Sequence, residues 1–181
     1  MFKVMIHPAD YDNVRNAVDS AFEHFPTQVT GKKVLIKPNV LRSSEAEEGI
    51  VTHPAVLRSV VEKVEAMDPA SIIVGDNPGL FNYGANEESF KKTGLMDAAK
   101  GYYQNIGDDS QKVEFNPEFM PTVSLSQAVF EADIKNLDSW YCIIFSRNEI
   151  LLFCKRIQTK FRDSNTPSDL RKGRLFFDSS H

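Results

Sequence analysis

Two patterns of apolar residues alternate along the first part of the chain. Apolar side chains recur every three or four residues over Tyr11–Phe25 and again from Pro54 onward, which predicts two amphipathic helices. Short continuous apolar runs at Lys33–Lys37 and Ser71–Val74 are typical of strands covered on both faces. Because helices and strands alternate, the pattern predicts an α/β fold with an open, mainly parallel, doubly wound sheet and flanking helices.

Shorter patterns predict further elements around this centre. They are an edge strand at Phe2–His7, a loop at Leu41–Ile50, a helical stretch at Glu87–Lys100 broken at Thr93-Gly94, two short strands at Lys112–Phe115 and Thr122–Leu125, and the start of a helix at Ser126–Ala132.

Composition narrows the class of protein. Apolar residues make up 41% and charged residues 25%, as in a folded globular chain. The net charge of −4 argues against a nucleic-acid partner. No apolar run approaches the ~20 residues of a membrane span, and the first ten residues lack a signal-peptide core. We therefore expect a cytoplasmic protein without a membrane partner.

The charge is divided unevenly along the chain. Residues 135–181 carry 9 basic and 5 acidic side chains, a net of +4, whereas residues 1–134 carry a net of −8. We therefore predict an α/β domain over residues 1–134 and a short, basic C-terminal appendage over residues 135–181. The appendage is open to three interpretations: a basic arm for an acidic partner, a small second subdomain, or a poorly ordered tail.

Both cysteines, Cys142 and Cys154, lie in the appendage. Two cysteines without a Cys-x-x-Cys motif do not make a disulfide framework or a four-cysteine metal site. We expect no iron–sulfur cluster from this chain alone, and the sequence identifies no cofactor.

The candidate site follows from the predicted sheet. Ligands of open parallel sheets bind beyond the carboxyl ends of the strands, and two loops leave such ends here. A helix that begins at Thr52-His53-Pro54 would present its N-terminal amides, which favour an anion, to the same edge. The predicted ligand-binding residues are Lys37, Asn39, Thr52, His53, Asp76, Asn77 and Gly79.

For each of these residues, a role in ligand binding or catalysis stands beside a purely structural role. Lys37 offers a positive charge or is simply solvated, and His53 is a proton carrier, a metal ligand or only a helix cap. Asp76 is a general base, a metal ligand, an acceptor for a ribose hydroxyl, or a turn residue. No Gly-x-Gly-x-x-Gly, phosphate-loop or Gly-x-Ser-x-Gly motif is present, so catalytic residues are not identified and no set of metal ligands is predicted.

Three segments together resemble a known family. KVLIKPNVL (33–41), VTHPAVLRSVVEKV (51–64) and IIVGDNPG (72–79) are similar, in this order and spacing, to the family catalogued as domain of unknown function 362. The resemblance covers roughly residues 1–134. It implies that Lys37, Asn39, His53 and Asp76 lie in shared motifs. It also implies an association with iron–sulfur chemistry, because many members are joined to a ferredoxin-like, cysteine-rich module.

The resemblance ends after AVFEADI (128–134). The family continues there with a strand of Ile-Asn-Leu-Pro-Lys type and a Lys-Thr-His stretch, whereas this chain continues KNLDSWYCIIF. We therefore expect a truncated member, with a fold incomplete relative to the family and an unrelated tail such as a frameshift would produce. Comparison of the three coding frames would test the frameshift.

Three functions remain open from the sequence. The first is a domain that binds a small anionic molecule or a metal at the strand-end edge, linked to redox chemistry in full-length relatives. The second is a non-catalytic module for a ferredoxin-like or other protein partner. The third is a truncated remnant without activity, so whether the chain is an enzyme stays undecided.

Overall fold

The computed structural model describes residues 4–77, 86–116, 120–133, 140–146 and 149–155. Helices and strands are mixed along the chain, which confirms the predicted α/β class. In chain order the elements are β1 (Val4–Pro8), α1 (Val14–His24), β2 (Lys33–Ile36), a 3-10 turn (Ala46–Glu48), α2 (Pro54–Glu65), β3 (Ser71–Val74), α3 (Asn86–Lys92), α4 (Leu95–Ala98), β4 (Ser110–Asn116), β5 (Met120–Ser126), α5 (Gln127–Glu131), β6 (Trp140–Ser146) and β7 (Glu149–Lys155).

Strands β2 and β3 form a parallel pair, with Ile36 opposite Val74 at its end. Their connection passes through α2, the crossover that parallel strands require. A parallel bridge between Val74 and Tyr103 adds a short third segment beside β3. The described residues thus contain a small parallel sheet, and the edge where β2 and β3 end is the one that the sequence predicts to carry the site.

The other strands pair antiparallel. Strands β4 and β5 form a hairpin, and β1 pairs with β7, which also pairs with β6. The pairing of β1 with β7 joins residues from both sides of the predicted division at residue 134. That division remains a prediction.

Two clusters of buried side chains form the core of the described residues. One lies between the parallel pair and α2, α3 and α4, and its fully buried members include Leu57, Val74 and Phe90. The other packs α1 against α2 around Ala17 and Val56. Helix α2 serves both clusters because its apolar stripe is wide, as the spacing of its valines predicts.

Helix α1 begins later than its apolar stripe predicts. A carboxylate oxygen of Asp10 accepts the N–H groups of Asp12 and Asn13, each at 3.0 Å, so the chain first makes a turn. The helix begins at Val14, after Asn13, whose side chain makes no capping bond. Asp10 therefore stabilises the turn that precedes the helix and does not cap the helix itself.

Ion pairs on the surface hold α1 against α2. Lys63 lies 2.8 Å from Asp19, and Arg15 pairs with Glu62. The hydrogen bond from Lys63 holds the pKa of Asp19 below its usual range, although partial burial opposes the shift.

Within the described part of the chain, no helix is long and apolar enough to cross a membrane.

Candidate functional site

An ion pair connects the two strand ends. Lys37 directly follows β2, and its Nζ lies 2.7 Å from Oδ1 of Asp76, two residues beyond β3. Asp76 is 5% exposed, whereas the Lys37 side chain is 57% exposed. The structure therefore brings these two predicted residues together, with the carboxylate buried and the ammonium group reaching solvent.

The second carboxylate oxygen of Asp76 holds the loop after β2. Oδ2 accepts the N–H of Val40 at 2.7 Å. Both oxygens of Asp76 thus have partners, one charged and one from the backbone, which compensates for the burial of the carboxylate. In this arrangement Asp76 positions Lys37 and the loop.

Asn39 and Thr52 close the base of that loop. The N–H of Asn39 donates to Oγ1 of Thr52 at 2.8 Å, and the N–H of Thr52 donates to the carbonyl of Asn39 at 2.9 Å. The side-chain amide of Asn39 donates to the carbonyl of Ile50 at 3.0 Å. Beside them Val40 and Val51 form an antiparallel bridge. These two predicted site residues therefore hold the ends of segment 40–51 together, next to the Lys37–Asp76 pair.

His53 caps helix α2 with its ring. Nδ1 accepts the N–H of Ala55 at 3.2 Å, and the ring stacks on Tyr11 with centroids 3.5 Å apart. Burial lowers the pKa of His53 below its usual value, and the charge of Glu47 opposes the shift only in part. The N-cap of α2 is therefore His53, and the neighbouring Thr52 instead pairs with Asn39.

The start of α2 offers fewer free amides than the sequence suggests. Pro54 has no N–H, the N–H of Ala55 donates to the His53 ring, and the N–H of Val56 donates to the His53 carbonyl at 3.0 Å. His53 thus satisfies the donors of the first turn from within the chain. Recognition of an anion at this edge would depend chiefly on Lys37.

Gly75 permits a close approach between β3 and the neighbouring backbone. A Cβ at this position would lie 2.7 Å from the carbonyl oxygen of Gln104, closer than side-chain carbons are found. Gly75, the first glycine of the predicted loop, therefore allows the backbone after β3 to pack closely against Gln104, next to the bridge between Val74 and Tyr103. Gly79, the last residue of that loop, lies outside the described residues.

Asn77 belongs to a second polar group that the sequence analysis missed. Its Oδ1 lies over Gly107, close to the side chains of Asn86 and Asn105. Asparagine is a typical turn residue, and Asn77, Asn86 and Asn105 lie in three separate segments of the sequence. No local pattern therefore indicated that they meet. Consecutive residues, Asp76 and Asn77, thus lie in two different polar groups.

Histidine, cysteine and acidic side chains do not gather into a metal-binding group of three or more within the described ranges. The group around Gly107 is instead built mainly from asparagine side chains.

Comparison with known proteins gives one family. No curated protein and no solved structure matches the chain significantly. A family model described as a domain of unknown function, DUF362, matches residues 34–135, more than half of the chain. The matched range contains the Lys37–Asp76 pair, the loop base and the start of α2. This chain therefore belongs to the DUF362 family.

Proposed function

We propose that this domain binds a small anionic molecule at the edge where β2 and β3 end, and that Lys37 contacts its charge. The observation that carries the proposal is the Lys37–Asp76 pair, in which a buried carboxylate holds an exposed ammonium group. An ammonium group has three N–H donors, and Asp76 engages only part of this capacity. A ligand arriving from solvent would meet a positive charge whose position is already fixed.

The same geometry favours an anion over a metal at Asp76. Both oxygens of Asp76 have partners, so a metal there would have to displace Lys37 or the Val40 N–H. An anion requires no such exchange, because it would bind the solvent-facing side of Lys37.

The wider fold supports the position of the site. We propose that the parallel pair is part of a doubly wound sheet, which the bridge from Val74 to Tyr103 favours by adding a parallel neighbour to β3. Ligands of such sheets bind at the carboxyl ends of the strands.

We also propose that the protein acts in the cytoplasm, as the sequence predicts.

A link to iron–sulfur chemistry would require cysteines beyond the two in this sequence. We propose a ferredoxin-like partner as one source of the cluster that the family resemblance implies. A non-catalytic interaction module is accordingly the second candidate function, and the net charge of −8 over residues 1–134 favours it for a basic partner.

A ligand screen by thermal unfolding tests the anion site. Phosphates, nucleotides and small carboxylates are added to the full chain, and a ligand at 100 times its Kd should stabilise the fold by about 2.7 kcal/mol. Lys37→Ala should abolish the stabilisation. Lys33→Ala is the matched control, since Lys33 is exposed at the opposite end of the same strand.

Two results would contradict the anion site. One is the absence of stabilisation by every compound in the screen. The other is an equal stabilisation of the wild type and of Lys37→Ala, which would place the bound anion elsewhere.

A further inference from the structure

The hairpin of β4 and β5 has a free edge on each side. Within the described ranges its two strands pair only with each other. None of its residues belongs to either core cluster, and α5 is the one described element that makes more than slight contact with it. An isolated two-stranded hairpin is at best marginally stable in water, and a further strand is one way to support it.

Alternation along β4 decides which backbone groups point to its free edge. The carbonyl of Asp109 accepts the N–H of Gln127 at 3.0 Å, so this carbonyl points toward the second strand of the hairpin. Hydrogen-bonded and non-hydrogen-bonded pairs alternate along an antiparallel ladder, so the backbone groups of Gln111 and Val113 also point toward β5. The residues with backbone groups that point to the free edge are Ser110, Lys112 and Glu114.

The middle of β4 carries two opposite charges. Lys112 and Glu114 flank Val113, and both are exposed. Neither makes an ion pair with another residue of the described ranges, and their partners on β5, Ser124 and Thr122, are uncharged. Residues two positions apart in a strand lie on the same face. The free edge of β4 therefore presents one positive and one negative charge side by side.

This edge is complementary to itself. If the β4 strands of two copies run antiparallel about a two-fold axis at Val113, Lys112 of each copy lies opposite Glu114 of the other. In this register the outward backbone groups form hydrogen-bonded pairs, and all seven residues of Ser110–Asn116 are paired.

Charge selects this register over its neighbours. The two nearest registers that keep the backbone hydrogen bonds would place Lys112 opposite Lys112, or Glu114 opposite Glu114. Like charges directly opposite each other are destabilising, whereas opposite charges stabilise a pair of strands. The register centred on Val113 is therefore favoured by electrostatics as well as by the number of residues that it pairs.

The outer edge of β5 lacks these features. No residue of Met120–Ser126 is charged, so electrostatics would not select a register there. The strand also leads directly into α5, because Ser126 is the N-cap of that helix. Of the two edges of the hairpin, the edge of β4 is the one suited to a second copy.

We propose that two copies of this chain associate through β4 and form a continuous antiparallel sheet in the order β5-β4-β4-β5. The contact is isologous, the type that most homodimers use. Seven residues from each copy make a small interface, so the dimer is weak and depends on concentration. It does not involve the anion site at Lys37.

Sedimentation equilibrium of the full chain tests the dimer. The wild type should dimerise with a Kd between about 1 μM and 1 mM. Lys112→Glu and Glu114→Lys should each weaken the dimer at least about tenfold, because each places like charges opposite one another. An equimolar mixture of the two variants should form a mixed dimer about as strong as that of the wild type, since opposite charges then meet at both positions.

Two matched controls change the net charge by the same amounts elsewhere. Arg58→Glu on α2 and Glu23→Lys on α1 alter exposed residues of other elements, and both should dimerise as the wild type does. All four substituted positions are exposed, so we expect every variant to fold, and circular dichroism checks that they do.

Hydrogen exchange of the wild type locates the contact without a variant. As the concentration rises, the amides of Lys112 and Glu114 should become protected, because their N–H groups point to the free edge. The amides of Gln111 and Val113 point toward β5, so their protection should change less.

Four results would overturn the proposal. They are a wild type that stays monomeric up to about 1 mM, a wild-type Kd in either Lys112→Glu or Glu114→Lys, a mixture of these two variants that fails to associate, and amides of Lys112 and Glu114 with protection that is independent of concentration.

Discussion

Asp76 shows how one buried side chain can organise a site. It lies at the end of one strand, yet its contacts reach Lys37 and Val40 beyond the end of another. The sequence places Asp76 correctly at this edge, because an apolar run followed by Gly-Asp-Asn-Pro indicates a strand end. Its partners could not be predicted, since sequence spacing does not give the direction of a side chain after a strand ends.

Two substitutions at Asp76 separate its charge from its hydrogen bond. Asp76→Asn keeps an oxygen that can accept the Val40 N–H, whereas Asp76→Ala leaves that buried N–H unpaired. We expect Asp76→Ala to lose about 1–3 kcal/mol of unfolding free energy and Asp76→Asn to lose less. Urea denaturation measures both, and equal losses would contradict the importance of the Val40 bond.

His53 should make stability depend on pH. The folded chain favours the neutral ring, because burial lowers the pKa of His53 and because only unprotonated Nδ1 can accept the Ala55 N–H. As the pH falls below about 6.5, the unfolded chain therefore takes up the proton first, and the unfolding free energy decreases. Above about pH 7 this contribution is fully present.

The variant His53→Asn isolates this dependence. Asparagine is an effective helix cap that does not titrate, so the variant should keep α2 and lose part of the pH dependence between about 7 and 5. The difference in slope should stay below about 1.4 kcal/mol per pH unit, the limit for one proton. Identical slopes for the wild type and the variant would exclude His53 as the cause.

At the scale of elements, long apolar stripes were predicted better than boundaries. The stripe of α2 is regular and is followed by the predicted strand β3. The start of α1 was misplaced because a local turn at Asp10 competes with the helix. The segment that pairs with Val74 at Tyr103 was missed because it is too short for its pattern to be recognised.

Gly75→Ala tests the approach between β3 and that short segment. The added methyl group would overlap the carbonyl of Gln104 and the side chain of Ile106, so the two backbones must separate. We expect a loss of about 1–3 kcal/mol, as for other overpacked positions. Hydrogen exchange at the Gln104 N–H, which donates to Val74 at 2.9 Å, should accelerate more than exchange within α1. Unchanged stability and exchange would show that the contact is not tight.

At the scale of the whole molecule, the family match ends close to the position where the charge pattern changes. The family model ends at residue 135, where the charge balance becomes positive. The division of the chain at this position stays a prediction, made because composition changes abruptly there. The sequence could not predict the pairing of β1 with β7, since β pairing between distant segments leaves no local pattern.

Removal of residues 135–181 tests the division. Both core clusters of the described residues lie between Met5 and Ala99, so residues 1–134 should still unfold cooperatively. Strand β1 would lose its partner β7, so its amides should exchange with solvent as those of a free segment do. Amides of β2 and β3 should stay protected, and their loss of protection would show that the shorter chain is not an independent domain.

The closed base of segment 40–51 has a consequence for variation within the family. Its ends are held together by the Val40–Val51 bridge and the paired bonds of Asn39 and Thr52, while residues 45–49 are largely exposed. Lengthening a flexible loop whose ends are already joined costs little, about 0.6 kcal/mol for each doubling. Relatives could therefore carry longer segments in place of residues 45–49 and leave Lys37 and Asp76 undisturbed. This exposed segment is thus a position where the preference of the proposed anion site could diverge without a change of fold.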